Sequence, residues 1–199
     1  MRRLIAFAAL AALGGCGSSP TPDGVSLKID KSPFRVTVLD DGKPVVAEDK
    51  DARLRYQLAS TGAVHELTGV TSSQGQVYQV ATDEPGRTAT VTVATTATGA
   101  RVELALHPTT DVLQVYDAFD TSPTDHFVGG GEHGESADLR GKILSVEVGY
   151  QCSYAPIPFF ASTAGWGVRI ASQNPAGLAF PGSPGGPGCQ VGDLSLIHI

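Results

Sequence analysis

Helical periodicity is the first thing this sequence lacks. Past residue 24 no stretch of useful length repeats its apolar residues at i, i+3, i+4 and i+7, which argues against a helical fold. Charge of one sign never gathers into a block, and the net charge is −6, so no nucleic-acid partner is expected. The acidity reads as a solubility feature and not as a site. Leu4 to Leu13 is apolar but too short to cross a bilayer, which takes about 20 residues. Cysteine is scarce, three in the chain, and no pattern supports a Cys-His nucleophile. Tight ligand spacing of the His-x-x-x-His kind is missing too, so no metal site is expected. Asp125, His126, Glu132, His133, Glu135 and Asp138 crowd together but read as solvated loop residues. Calcium held by loop carboxylates is the one metal reading left beside that. Gly129-x-Gly131-x-x-Gly134 has the outline of a dinucleotide fingerprint, yet no helix pattern follows it, and no cofactor is expected.

What is present is alternation. Val25, Leu27 and Ile29 alternate with Ser26, Lys28 and Asp30, and Phe34, Val36 and Val38 with Arg35 and Thr37. Asp41-Gly42 then carries a hairpin signal. Leu54, Tyr56 and Leu58 repeat the period of two. Ala89, Val91 and Val93, a turn near Thr98-Gly99, then Val102, Leu104 and Leu106 read as a hairpin. Val112 to Tyr116 is one more strand candidate. Strands that bury one face and wet the other suit antiparallel sheets. With 41% apolar and 17% charged residues the chain is globular, and many short strands separated by turns predict an all-β antiparallel sandwich.

The start of the chain has its own pattern. A basic Met1-Arg2-Arg3, the apolar run, and Leu13-Gly14-Gly15-Cys16 together resemble a bacterial export signal ending in a lipobox. Residues 1–15 are then a signal peptide, Cys16 is the lipidation site, residues 16–24 are a flexible tether, and residues 1–24 as a whole are expected to pack on nothing. An ordinary secretory signal with an incidental cysteine is the alternative. The expected location is outside the cytoplasm, anchored to a membrane through lipid.

Residues 126–170 carry the chemistry-bearing motifs. Phe127-x-Gly129-x-Gly131-Glu132 is followed by the turn Leu139-Arg140-Gly141. Ile143 to Val148 is strand-like, and Tyr154-x-x-Ile157-Pro158-Phe159-Phe160 with Ser162 is a proline-bracketed strand. Gly165-Trp166-Gly167-Val168 closes the series as a hairpin-like turn. In order and spacing these motifs resemble glycoside hydrolase family 31, the α-glucosidase and α-xylosidase family, in the stretch that precedes its catalytic barrel. The resemblance implies a galactose-mutarotase-like supersandwich over residues 25–193, packed beside a barrel this chain does not contain. It implies an α-linked oligosaccharide or glycoside as the whole enzyme's substrate, and no catalytic residue in the present chain. Glu132 or Asp138 could be offered as the acid or nucleophile, but in the family both carboxyl groups come from the barrel.

For Phe127, Glu132, Arg140 and Trp166 two readings stay open. One is loop ordering, with a Glu132–Arg140 pair and the two aromatics in the core. The other is a substrate-side loop closing over the barrel mouth. Two departures from the family matter. His133 stands where the sulfoquinovosidase branch has Gln, and the common Trp and Asp after Leu-Arg-Gly-Lys are missing. Neither sulfosugar specificity nor the family's usual sugar-leaving-group subsite is therefore implied.

After this stretch Gly177 to Phe180 is a short strand candidate and Pro181 to Gly188 a loop. Cys152 and Cys189 form a candidate disulfide worth about 3–4 kcal/mol, unless either pairs with a cysteine beyond the present chain. Leu194 to Ile199 reads as a translated sequencing adapter, so residues 194–199, His198 included, carry no functional weight. Two other functions remain beside the glycosidase domain: a carbohydrate-binding lipoprotein, and a ligand-free envelope β-domain. Replacing Cys16 with Ser is expected to release the protein from membranes. Unchanged membrane fractionation with unchanged lipid labelling would reject the lipobox.

Overall fold

The computed structural model describes residues 3–8, 24–96, 99–133, 136–145, 153–171, 176–182 and 197–198. Among them there are only strands and turns. The first five strands are β1 (Arg3–Ala8), β2 (Val25–Lys31), β3 (Phe34–Asp40), β4 (Lys43–Ala47) and β5 (Arg55–Leu58). Next come β6 (Val64–Gln74), β7 (Val77–Thr82), β8 (Thr88–Thr96), β9 (Gly99–His107) and β10 (Val112–Asp117). The last six are β11 (Phe127–His133), β12 (Ile143–Ser145), β13 (Ser153–Ser162), β14 (Gly167–Ala171), β15 (Gly177–Ala179) and β16 (Ile197–His198).

Eleven strands form one sheet in the order β11-β13-β14-β1-β9-β8-β7-β6-β5-β10-β16. The hairpins β2-β3-β4 make a second sheet of three strands, and β12-β15 pair separately. Every pairing is antiparallel. The three-stranded sheet lies against β6, β8 and β9. Its inward residues Phe34, Val36 and Val38 meet Val80, Ala89, Val91, Val102 and Leu104 in one core. Phe34, Tyr56, Leu54 and Leu67 have no exposed surface. Burying side chains of that size contributes roughly 1.5–3 kcal/mol each.

Turn chemistry fixes the hairpins. Asp40 pairs with Lys43 across Asp41 (φ 47°) and Gly42 (φ 73°), the two positive angles that a two-residue hairpin loop needs. Thr96 pairs with Gly99 across the second expected hairpin. Val112 to Asp117 is a strand, and Gly177 to Ala179 is the short one expected near there. From Ile143 the strand runs only to Ser145, and residues 146–150 lie outside the described ones. The meander β6-β7 is not marked by clean alternation, because β6 shifts register against β7 twice, between Leu67 and Val70 and again before Ser72.

Two expectations need correction. Residues 1–24 were to pack on nothing, but Arg3–Ala8 is a central strand, paired to β9 from Arg3↔Leu104 to Ala8↔Gly99 and to β14 from Leu4↔Ala171 to Ala8↔Gly167. The physical reason is an open ladder. β9 and β14 present backbone donors and acceptors toward each other, and with no bilayer present a short extended segment satisfies both edges. The acidity of the chain is likewise not all solubility, since Glu48 and Asp117 have no exposed surface. At the other end Ile197 and His198 pair by backbone with Asp117 and Tyr116. Cys16, Cys152 and Cys189 lie outside the described residues.

The apolar start thus serves as a strand in the 199-residue chain. Backbone amides of residues 100–104 and 168–170 are expected to exchange hydrogen at least tenfold faster in a chain beginning at Cys16 than in the 199-residue one. Equal exchange measured by mass spectrometry would show that β1 holds nothing together.

Candidate functional site

The glycine-rich strand β11 lies at the end of the large sheet, and among the described residues β13 is its one neighbour there. Phe127, Val128 and Gly129 pair in step with Ser162, Ala161 and Phe160. The ladder then jumps, and Gly131 stands opposite Pro156. Prolines 156 and 158 have no amide hydrogen, so regular pairing is interrupted at them before it resumes at Glu132↔Ala155. β11 follows the irregular strand by bending through Gly129, Gly130 and Gly131, at φ 129°, 80° and 90°.

Those glycines are also filled against from within the fold. A Cβ on Gly129 would lie 2.5 Å from the Phe159 carbonyl oxygen and 2.8 Å from Phe160 Cα. One on Gly130 would lie 2.5 Å from Leu144 Cδ1, and one on Gly167 would lie 2.7 Å from the Phe160 carbonyl oxygen. The close backbone approach that successive glycines permit is therefore made to β13 and β12. The same glycines sit inside a strand, with no helix after them among the described residues, which is not the context that the dinucleotide fingerprint needs.

Behind β11 the aromatics form one cluster. Phe127 packs against Phe180 (5.3 Å between centroids), Phe160 (6.1 Å) and Trp166 (6.2 Å). Phe160 meets Phe180 edge-on at 5.2 Å, and Trp166 reaches Phe119 at 6.1 Å. Phe127 is 1% exposed and Trp166 3%. Both are core residues here and offer no surface to a ligand. The turn that aims Trp166 inward is closed by Gly165 N to Ser162 O (3.0 Å) and Ser162 N to Trp166 O (2.7 Å).

The Asp138–Gly141 turn is tied back onto β11. Asp138 Oδ1 accepts from the amides of Phe127 (3.3 Å) and Arg140 (3.1 Å), and Oδ2 lies 2.6 Å from His126 Nδ1. The His126 hydrogen bond, with the Arg140 amide second, holds the Asp138 carboxyl below its ordinary range. Leu139, fully buried, donates its amide to Phe127 O at 2.8 Å. Lys142 N reaches back to Leu139 O, with Gly141 at φ 77° where the turn requires a positive angle. Gly141 N to Pro181 O and Phe180 N to Lys142 O then fasten the turn to the segment after β15.

The Glu132–Arg140 pair of the loop-ordering reading does not form. Arg140 sends its guanidinium to the carbonyls of Asp125 (2.8 Å) and Ser122 (3.3 Å), while Glu132 is exposed in β11 opposite Ala155. No ion pair joins them among the described residues. The reason is reach: the loop 122–125 is closed by Ser122 N on Asp125 Oδ2, which turns its carbonyls toward Arg140. His133 is occupied as well, its Nε2 hydrogen donated to Gly129 O at 3.0 Å. The crowd of acidic and His residues is thus divided among local contacts, and Glu135 lies outside the described residues. No group of three possible metal ligands assembles among those that are described.

Fold and segment together define a class: an antiparallel β-sandwich whose glycine-rich end strand is fixed by internal packing. The family model for the glycosyl hydrolase 31 N-terminal galactose mutarotase-like domain matches residues 17–172, and the chain belongs to that family. Comparison with curated proteins and with solved structures gave no match.

The two kinds of glycine in this chain should respond differently to a methyl group. Gly42→Ala meets open space and only a strained φ, so it is expected to cost about 1 kcal/mol. Gly129→Ala adds a collision with β13 backbone and is expected to cost at least about 3 kcal/mol. Chemical denaturation of both variants checks this, and equal costs would mean that the β11–β13 fit is loose.

Proposed function

We propose that this chain is the N-terminal sandwich of an exported, lipid-anchored α-glycosidase, and that it does no chemistry alone. The family match over residues 17–172 carries this reading. Glycoside cleavage through an oxocarbenium-like transition state takes two carboxyl groups on opposite sides of one sugar carbon. The carboxylates near the glycine strand are poorly suited to that work. Asp138 is engaged by His126 and two amides, and Asp125 by the Ser122 amide. Phe127 and Trp166 are sealed in the core. Glu132 is exposed and Arg140 half-buried, and these two are left as the residues able to edge a sugar site.

The docking side is proposed to be the β11–β13 end of the large sheet. Val128 (48% exposed) and Ile157 (55%) leave apolar surface there, of the kind that a second domain covers. A catalytic barrel of the usual size, about 250 residues, would supply the other wall of a sugar site. Lipidation at Cys16 and an extracytoplasmic location complete the proposal, and both rest on the sequence pattern alone.

The assay is hydrolysis of aryl α-glucosides and α-xylosides. The 199-residue product is expected to show none, and the full-length gene product to cleave at least one with retention of configuration. Turnover by the purified 199-residue chain, lost on Glu132→Ala or Asp138→Ala, would overturn the reading. So would a gene that ends without a barrel, which would favour a carbohydrate-binding or structural lipoprotein.

A further inference from the structure

Two carboxyl groups sit where the three-stranded sheet is sewn to the large one, away from the glycine strand. Glu48 follows β4 directly, and Asp117 ends β10. Neither residue has any exposed surface. Their segments are stitched together by backbone: Glu48 bridges Phe119, Asp49 N donates to Ala118 O (2.7 Å), and Asp120 N donates to Ala47 O (2.9 Å).

Each carboxyl has one oxygen satisfied and one orphaned. Glu48 Oε2 accepts from Val36 N at 2.8 Å, and Asp117 Oδ1 accepts from Ala118 N at 2.9 Å. Glu48 Oε1 and Asp117 Oδ2 are buried with no donor. Two bare carboxylates buried at one junction suffer desolvation, and Asp117 feels the charge of Glu48 as well. A single proton relieves all of this. A protonated carboxyl gains an O–H donor, and the neighbouring carboxylate is an acceptor.

We propose that Glu48 and Asp117 share one proton, as an acid–carboxylate pair that latches β4 to β10 and makes the junction between the two sheets proton-dependent. The neighbouring cations do not remove the need for that proton. Arg35 donates its Nε to the Glu48 backbone oxygen (2.6 Å) and pairs with Asp120. Arg53 donates to Lys50 O and lies 3.4 Å from Glu66. Arg55, on β5 beside β10, faces Asp117 and Tyr116. Burial outweighs their attraction and pushes Glu48 up to about 8. Asp117 is raised well above the carboxyl range by burial first and by Glu48 second. Tyr116, next along β10, is raised by burial, and His198 stands opposite it in register.

The sign follows from the raised values. Between the ordinary carboxyl range and about 8 the folded chain holds a proton that the unfolded chain has released, so stability falls as pH rises through that window. The latch should be firm in mild acid and loosen in mild alkali.

The test is denaturant titration of the 199-residue chain from about pH 6 to about pH 9, with infrared spectroscopy in parallel. The native sequence is expected to lose midpoint concentration across that range and to show a buried carboxylic-acid C=O band that disappears on alkaline titration. Glu48→Gln keeps a donor toward Asp117 and removes one of the two ionisable groups, so it should reduce the fall and weaken the band. Asp117→Asn should do the same from the other side. A native chain with no acid band at about pH 6, or a fall in stability that both variants retain undiminished, would overturn the proposal. If neither variant folds, the infrared titration of the native chain decides.

Discussion

Prolines 156 and 158 have no amide hydrogen to give, and much of the C-terminal half of the fold is arranged around that deficit. The β11–β13 ladder skips there. β11 can follow the skip only with residues that accept positive φ and present no Cβ to the Phe159–Phe160 backbone. Once β11 is seated, Phe127 is aimed inward at Phe160, Phe180 and Trp166, and its carbonyl is in place to receive Leu139. The Leu-Arg-Gly turn is then held by Asp138, and Arg140 is directed to the 122–125 loop. A segment that looks like a ligand loop is, in its described part, a chain of packing consequences.

How much of this was legible depends on the residue. Asp41-Gly42 announces its hairpin because few other residues accept two positive φ values in succession. Val91, Val93, Val102 and Leu104 announce theirs because unbroken alternation has one buried face. The meander over residues 64–82 was not legible. Its long strand changes register twice, and Thr71 to Gln74 is polar and exposed, so no single period survives. The end strand showed its family through motif order, but the role of each residue depended on contacts far along the chain. Arg140 binds carbonyls 15 and 18 residues upstream, a pairing that local sequence does not specify. Glu48 and Asp117 look like ordinary strand-end acids. They become buried only when the segments that follow β4 and β10, strands of two different sheets, are brought together.

The apolar start of the chain shows the same dependence on context. Its composition suits an export signal, and its backbone in the 199-residue chain suits the opening between β9 and β14. Both uses draw on one property, a short extended apolar stretch without internal polar demands. They cannot operate on one molecule at the same moment, because a strand held on both sides is not available for targeting. Whichever process acts first settles the state of the sheet.

The central claim is that the motif-rich strand and turn are architecture and that glycoside chemistry belongs to another part of the gene product. Its most direct measurement is kcat of the full-length gene product carrying both Glu132→Gln and Asp138→Asn, on an aryl α-glycoside that the native protein cleaves. The account predicts a kcat within about tenfold of native, with any larger effect confined to KM. A fall of about ten-thousand-fold or more, of the size expected for loss of a catalytic carboxyl group, in a variant that still folds would contradict it.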